Sequence, residues 1–484
     1  MTTFLGLIGP RNERLAPRWI APVLSAAFLA ACASVPDRVP AATETTPDQL
    51  ASVQTFAAEN AAWPVTDWWS AYGDPQLTTL INEGLAHSPT LAQAEARLRG
   101  ANAARAGRAA SAGPNLSANG SFVEQEQSQN AGIPAAFIPS GYEDFGRATL
   151  DFSYELDFWG RNRAGIRAAT SDARAAAADA AQARLVLSTA IAAAYADLAR
   201  LYDEREIATR SLDVRTQTVS LVSRRVQIGL DNMGAQHQAE AGPPTIRAEL
   251  AAVDESIAQT RNRIAALMGE GPDRGASITP PAQVTLHAFG LPANLSADLL
   301  GRRPDLAAAR WRAEAATQRT REARAAFYPN VNLVAFLGTT ALGIDNLTLD
   351  SSRIGSIGPA ISLPIFDGGR LGANLTRADA ERDAAVAAYN ATLTEALREV
   401  ADVAASERAL QTRLTETRAA LAANEQAYSI ARQRYDGGLS PYQNVLIAED
   451  AVLAQRRAVA DLESRAFVLD VALVRALGGG FTAH

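Results

Sequence analysis

Residues 149–161 read TLDFSYELDFWGR. Leu150, Phe152, Tyr154, Leu156 and Phe158 are apolar, and the residues between them, Thr149, Asp151, Ser153, Glu155 and Asp157, are polar. Strict alternation describes a strand with one apolar and one wet face. The surrounding chain is different. It is rich in Ala, Arg, Glu and Leu and carries the 3.6-residue patterning of helices. An amphipathic strand inside a long-helix protein raises the question of what its apolar face touches.

The chain is written twice. HSPTL (87–91) recurs as RRPDL (302–306), and GPNL (113–116) as YPNV (328–331), at an offset of 215. Further on the offset becomes 209: FWGR (158–161) matches DGGR (367–370), and VQIGL (226–230) matches YDGGL (435–439). The offset changes inside the strand-bearing region, where loops vary in length most easily. Each copy has one grammar: a helix of about 25–35 residues ending at Pro-Asn, two strands, a very long helix, a Gly-Leu turn and a return helix. The strands are expected near 114–124, 147–158, 329–338 and 354–366.

From Gly160 to Ile228, and again from Gly369 to Leu439, no proline interrupts the chain. At 1.5 Å per residue each stretch gives a helix of about 100 Å, a length that calls for coiled-coil partners. Val386, Leu393, Val400, Leu414, Leu421, Tyr428 and Tyr435 share a seven-residue register broken by Glu407. Ile191, Leu198, Leu212, Val219 and Val226 share another, broken by Arg205. A period of seven predicts supercoiled packing. The fold class is therefore α+β: mostly α, with four strands and an internal two-fold repeat.

Four strands with an apolar outer and a polar inner face fit a membrane barrel. They cannot close alone, and open edges are not tolerated in lipid. About eight strands is the minimum for closure, so the barrel must be shared. Two protomers would give eight strands with a plugged interior, and three would give twelve with room for a passage.

The N-terminus has Arg11, Arg14 and Arg18, then the short apolar run WIAPVLSAAFLAA (19–31), then Cys32, the only cysteine. This is a secretory signal pattern. Its end, LAAC (29–32), resembles the lipobox of bacterial lipoproteins, which implies cleavage before Cys32 and lipidation of it. Ala33 stands where an Asp would retain some lipoproteins in the inner membrane. The expected domains are a signal peptide over 1–31, a tether rich in Ala, Thr and Pro over 32–62, and repeats over 63–290 and 291–484.

WWSAYGDPQLTTLI (68–81), GRRPDLAAAR (301–310), FYPNVNL (327–333), LPIFDGGRL (363–371) and RYDGGLSPYQNVL (434–446) together resemble the TolC/OprM family of outer-membrane channel tunnels, in particular the lipoprotein subunits of RND-type efflux systems. The resemblance implies a homotrimer with a twelve-stranded β-barrel in the outer membrane of a Gram-negative bacterium and a periplasmic α-barrel. It implies a periplasmic adaptor and an inner-membrane RND pump as partners. The tips VQIGLDNM (226–233) and YDGGLSPY (435–442) would form a closed aperture. Gly229, Leu230, Gly438 and Leu439 would meet the adaptor, and Tyr435 would take part in closure. Where aspartates are common in the family this chain has Ser440, Asn444 and Ile447, so Asp231 and Asp436 are the candidates for an acidic ring. Trp63, Trp68 and Trp69 suit either a membrane-interface belt or, preferably, packing of the N-terminal segment on the helices.

Other function classes fit less well. The net charge of −7 argues against nucleic acid. His87, His237, His287 and His484 lack metal-ligand spacing, and no nucleophile set or cofactor loop stands out. No catalytic residue, metal or cofactor is expected. RRPD at a helix start reads as proline at N1 with acidic capping. A type I protein-secretion duct and a coiled-coil structural lipoprotein are the alternatives. The lipobox and short tail favour small-molecule efflux over the first, and the strands disfavour the second.

Overall fold

The structure, a computed structural model, describes residues 42–483 apart from 51–54, 57–58, 129, 131–133, 283–285, 287–289 and 293–294. The signal segment, Cys32, and residues His287 and His484 lie outside the described residues.

The elements follow the expected grammar twice. The first series is α1 (Pro75–His87), α2 (Pro89–Ser111), β1 (Asn115–Glu126), β2 (Tyr142–Glu155), α3 (Arg161–Gln227) and α4 (Met233–Met268). The second is α5 (Leu295–Arg302), α6 (Pro304–Ala325), β3 (Asn330–Leu342), β4 (Arg353–Ser362), α7 (Arg370–Asp436) and α8 (Tyr442–Ala476). The two long helices have 67 residues each. The helix expected before each strand pair is in fact two, split at Ser88-Pro89 and Arg303-Pro304, since a residue ahead of proline is pushed out of the helical region.

The chain forms two compact units. One comprises residues 104–170 and 314–384 with Ala42; the other comprises 43–103, 171–313 and 385–484.

The first unit holds the sheet, antiparallel in the order β1-β2-β3-β4. The second strand occupies 142–155 and not 147–158. After Glu155 the alternation is spent on the turn into α3, where the Trp159 ring stacks on Tyr328 at 4.8 Å and its Nε1 donates to the Pro329 carbonyl. In the same way Leu363–Phe366 lies beyond β4. Asp157 accepts backbone bonds from Asn162 and Arg163, and Asp367 from Gly369 and Leu371, so an aspartate caps each long helix. Gly338 lies opposite Thr149, where a Cβ would collide with the Ala148 carbonyl.

The second unit is mainly helical, with one isolated parallel bridge between Asn60 and Leu291 among the described residues, around a core of Leu77, Leu80, Ile81, Ile191, Tyr195, Leu198, Ile264 and Met268. Asp74 caps α1, accepting from the amides of Gln76 and Leu77, and it also accepts the Tyr195 hydroxyl at 2.6 Å. Gly84 brings α1 against α3: a Cβ there would strike Ile191. Trp68, Trp69 and Tyr72 are buried in this core, so the tryptophan segment packs on the helices and does not form a membrane belt. The seven-residue registers are inward: Ile191, Leu198, Leu393 and Val400 are fully buried.

Glu407, the break in the second register, is buried as well. Burial raises its carboxyl above the ordinary value, and Asp470 adds to the rise against the opposing Arg465. A carboxyl raised in the folded state favours folding while protonated, and that contribution is lost as pH rises through its folded value. The contribution of Glu407 to the stability of the helical unit is therefore expected to increase on acidification from neutral pH. The gain should level off below the ordinary glutamate range. Glu407→Gln should remove this component and stabilise the neutral-pH protein by about 1 kcal/mol. Denaturant midpoints against pH check it; parallel wild-type and variant profiles would refute it.

Candidate functional site: the sheet face and the helical tips

The strand register settles which side chains share a face. Leu116 pairs with Phe152, Ala118 with Leu150, Leu150 with Leu337, Ala335 with Ile357 and Val331 with Ile361. These residues cover one side of all four strands. Leu116, Leu150, Leu337, Ile357 and Ile361 are each more than half exposed. The opposite side carries Asn115, Ser117, Asn119, Asp151, Arg147 and Ser153, with Asn119 and Thr149 donating to Asp151. VNLVAFL (331–337), too apolar to orient from sequence, is fixed by its partners: Leu333 and Leu337 lie on the apolar side, Val334 and Phe336 on the polar side, where Arg147 sits over the Phe336 ring. Among the described residues, strands β1 and β4 each lack a neighbour on their outer edge. Exposed apolar area of this extent on a sheet needs a covering environment.

The second candidate region lies at the turns α3–α4 and α7–α8. Gly229 and Gly438 take φ of 77° and 73°, the left-handed region that glycine enters without strain. Leu230 N donates to the Arg225 carbonyl and Leu439 N to the Arg434 carbonyl, so each long helix ends in the same Schellman closure. Asn232 caps the first return helix. Gly229, Leu230, Gly438 and Leu439 are exposed, and Ile228 and Met233 add apolar surface beside them.

Tyr435 and Asp231 come together, and Asp436 does not join them. The Tyr435 hydroxyl donates to Asp231 at 2.9 Å, and the ring is buried against Tyr442 at 5.5 Å. Burial and the Asp231 bond push the phenol well above its usual range. Arg225 completes the cluster, with its guanidinium 4.5 Å over the Tyr435 ring and Nε 3.9 Å from Asp231. Its Nη1 also donates to the Asp436 carbonyl at 3.4 Å. The Asp436 carboxylate is exposed and, among the described residues, forms no ion pair. Ser440 is half-buried at the tip, while Asn444 and Ile447 are exposed on α8. Sequence reasoning missed Arg225. The pair Arg224-Arg225 was visible, but nothing local says which arginine turns toward the other copy's tyrosine.

Behind the tips, Arg215 lies 3.4 Å from the buried Glu449 and also pairs with Asp450. Burial raises the Glu449 carboxyl. His87 and His237 bond to Glu270 and Glu240. Among the described residues no group of three metal-ligating side chains converges.

The outer membrane efflux protein family matches residues 80–270 and 295–479, more than half of the chain. The multidrug resistance outer membrane protein MdtP of Shigella flexneri is 33% identical over 450 residues, covering 90% of this chain and 91% of that protein. The fusaric acid resistance protein FusA of Burkholderia cepacia is 35% identical over 360 residues, 73% of this chain and 67% of that protein. Among solved structures, the outer membrane protein VceC of Vibrio cholerae has a TM-score of 0.82 at 47% identity, covering 87% of this chain and 100% of that chain. The chain thus belongs to the outer membrane efflux protein family, and it is an outer-membrane channel subunit of an RND-type efflux system, a conduit and not an enzyme.

Proposed function

We propose that three copies of this chain close a twelve-stranded barrel, edge β4 of one protomer pairing with edge β1 of the next, and form a passive exit duct for drugs or other small molecules. The observation that carries this is the four-stranded sheet, apolar on one side, polar on the other and open at both edges. In lipid such a sheet is stable only when closed. Twelve strands leave a passage, which eight would not. The repeated element order supports an internal duplication, with repeats over 63–290 and 291–484, and the two successive family matches fall within them.

Cys32 is the proposed lipid attachment site, anchoring the mature N-terminus in the outer membrane. The turns at 226–233 and 435–442 are the proposed aperture. Tyr435, Asp231 and Arg225 hold it shut within each protomer, and the exposed Gly229, Leu230, Gly438 and Leu439 dock a periplasmic adaptor that connects to an inner-membrane pump. Asp436, exposed and unpaired with any arginine side chain among the described residues, is the better of the two acids for a negative ring.

The test is single-channel recording of the detergent-extracted protein in a planar bilayer, with its mass measured in parallel. A trimer of small, mostly closed conductance is expected. A stable monomer, or a trimer that never conducts, would overturn the duct.

A further inference from the structure

The first unit contains a cleft of about 490 Å³ where the long helices start. Arg161, Arg319, Arg370 and Arg377 line it, against only Glu322 and Glu381, with Leu371 and Ala326 as an apolar floor. Both carboxylates are already engaged: Glu381 with Arg377 at 2.8 Å, and Glu322 with Arg108. Arg108 reaches Glu322 from α2, its guanidinium lying beside Gly165 of α3, where any Cβ would collide with it. A glycine in mid-helix costs about 1 kcal/mol relative to alanine, and here it makes room for that arginine. Arg161 forms a looser ion pair with Glu155 at 3.8 Å. Arg370 is exposed and, among the described residues, has no carboxylate in ion-pair range. Four arginines thus line the cleft against two glutamates, with Arg370 alone unpaired among the described residues, in a chain whose net charge is −7.

Two observations place this cleft on one particular side. Glu155 belongs to the polar set of β2, alternating with Ser153 and Asp151, so Arg161 reaches up to the polar side of the sheet. On α7, the amide of Ala42 donates to Asp383 at 3.2 Å, which places Ala42 on that face of the helix. Arg370, Arg377 and Glu381 lie about 120–160° around the helix from Asp383, at 3.6 residues per turn. Ala42 and the arginines of the cleft therefore lie on opposed faces of α7.

We infer that these clefts form a cationic collar around the lumen of the duct that binds organic anions, a carboxylate or sulfonate on an apolar body, on their way out. The inference rests on the trimeric duct proposed above, because only there does the polar side face a lumen. Guanidinium groups recognise carboxylate and sulfonate oxygens through paired N–H donors, and the leucine and alanine floor accepts the apolar body. Three clefts around one lumen give several weak sites, which is what passage requires.

The test uses the full-length protein in a planar bilayer with 1-naphthalenesulfonate as the probe, in wild type and in Arg161→Gln/Arg370→Gln. In wild type the probe is expected to block the open channel. In the double variant the half-blocking concentration should rise about tenfold, the change expected for losing about 1.4 kcal/mol of binding. Arg370→Lys, which keeps the charge but not the paired donors, should lose less of the block than Arg370→Gln. Mass measurement checks that each variant remains assembled. Conducting channels whose block ignores these substitutions would overturn the collar and leave the duct standing. Assembled wild-type protein that never conducts would overturn the duct and the collar with it. If the double variant fails to assemble, a block undiminished in Arg370→Gln alone overturns the collar.

Discussion

Arg303→Met is expected to destabilise the helical unit by roughly 3 kcal/mol. Arg303 is 5% exposed. Its guanidinium donates to Asp305 at 2.6 Å, to Glu399 on α7 at 2.7 Å and to the Ala476 carbonyl at the end of α8 at 3.0 Å. Burial opposes its charge, but the bonds to Asp305 and Glu399 outweigh that and hold the proton more firmly than usual. One side chain thus ties the start of α6 to two other helices. Removing it leaves two carboxylates and a carbonyl facing an apolar methionine, the situation in which breaking a buried pair is costly. The acids keep about a quarter of their exposure, which argues for the low end of the 3–5 kcal/mol range. Denaturant unfolding of the detergent-solubilised protein would measure it. Adding Glu399→Gln should recover part of the loss, since it removes one orphaned charge. A loss below about 1 kcal/mol, or no recovery, would mean that the charges are solvated and the hub carries little.

Arg303 also marks the boundary of what the amino-acid sequence discloses. RRPD reads locally as a helix start, and Pro304 is indeed the first residue of α6. Apart from Asp305, the partners of the two arginines are distant in sequence: Glu399 and Ala476 for Arg303, the Trp63 ring for Arg302. No periodicity encodes such contacts. The strands were legible because the alternation at 149–155 has a period that only a sheet satisfies, and the long helices because 67 proline-free residues with a seven-residue repeat have few other solutions. Strand ends were less so. Phe158 continues the alternation on paper, but the chain has already turned toward the Asp157 cap. The α4 helix was read without remark on Pro243 and Pro244, which lie inside it even though proline normally ends a helix. They leave the carbonyls of Ala239 and Glu240, four residues back, without an amide donor, while Gly242, Pro243 and Ile246 stay buried. At the tips, Tyr435 could be nominated from its place in the heptad, whereas its bond to Asp231 joins residues 204 apart in the chain.

That bond sets the second large effect. Tyr435→Phe keeps the buried ring and its contact with Tyr442 but deletes the only donor between Tyr435 and Asp231. A hydrogen bond to a charged acceptor contributes about 1.5–3 kcal/mol, so each protomer's closed tip should weaken by more than tenfold. Arg225 stays 3.9 Å from Asp231, too far for a hydrogen bond, and does not replace what is lost. The consequence depends on how the proposed trimer opens. If the three tips move together, the per-protomer losses add and the open-to-closed ratio should rise by about a thousandfold or more. If each tip moves alone, it should rise about tenfold, with intermediate conductance levels between closed and open. Single-channel records of Tyr435→Phe separate these cases by the number of levels as well as by open probability. Asp231→Asn, which leaves an acceptor for the tyrosine but removes the charge that Arg225 faces, should give a smaller rise. An open probability unchanged in both variants would show that the tips are held by the apolar contacts of Val222, Tyr442 and Val445 alone, and that the polar cluster only fixes side-chain orientation.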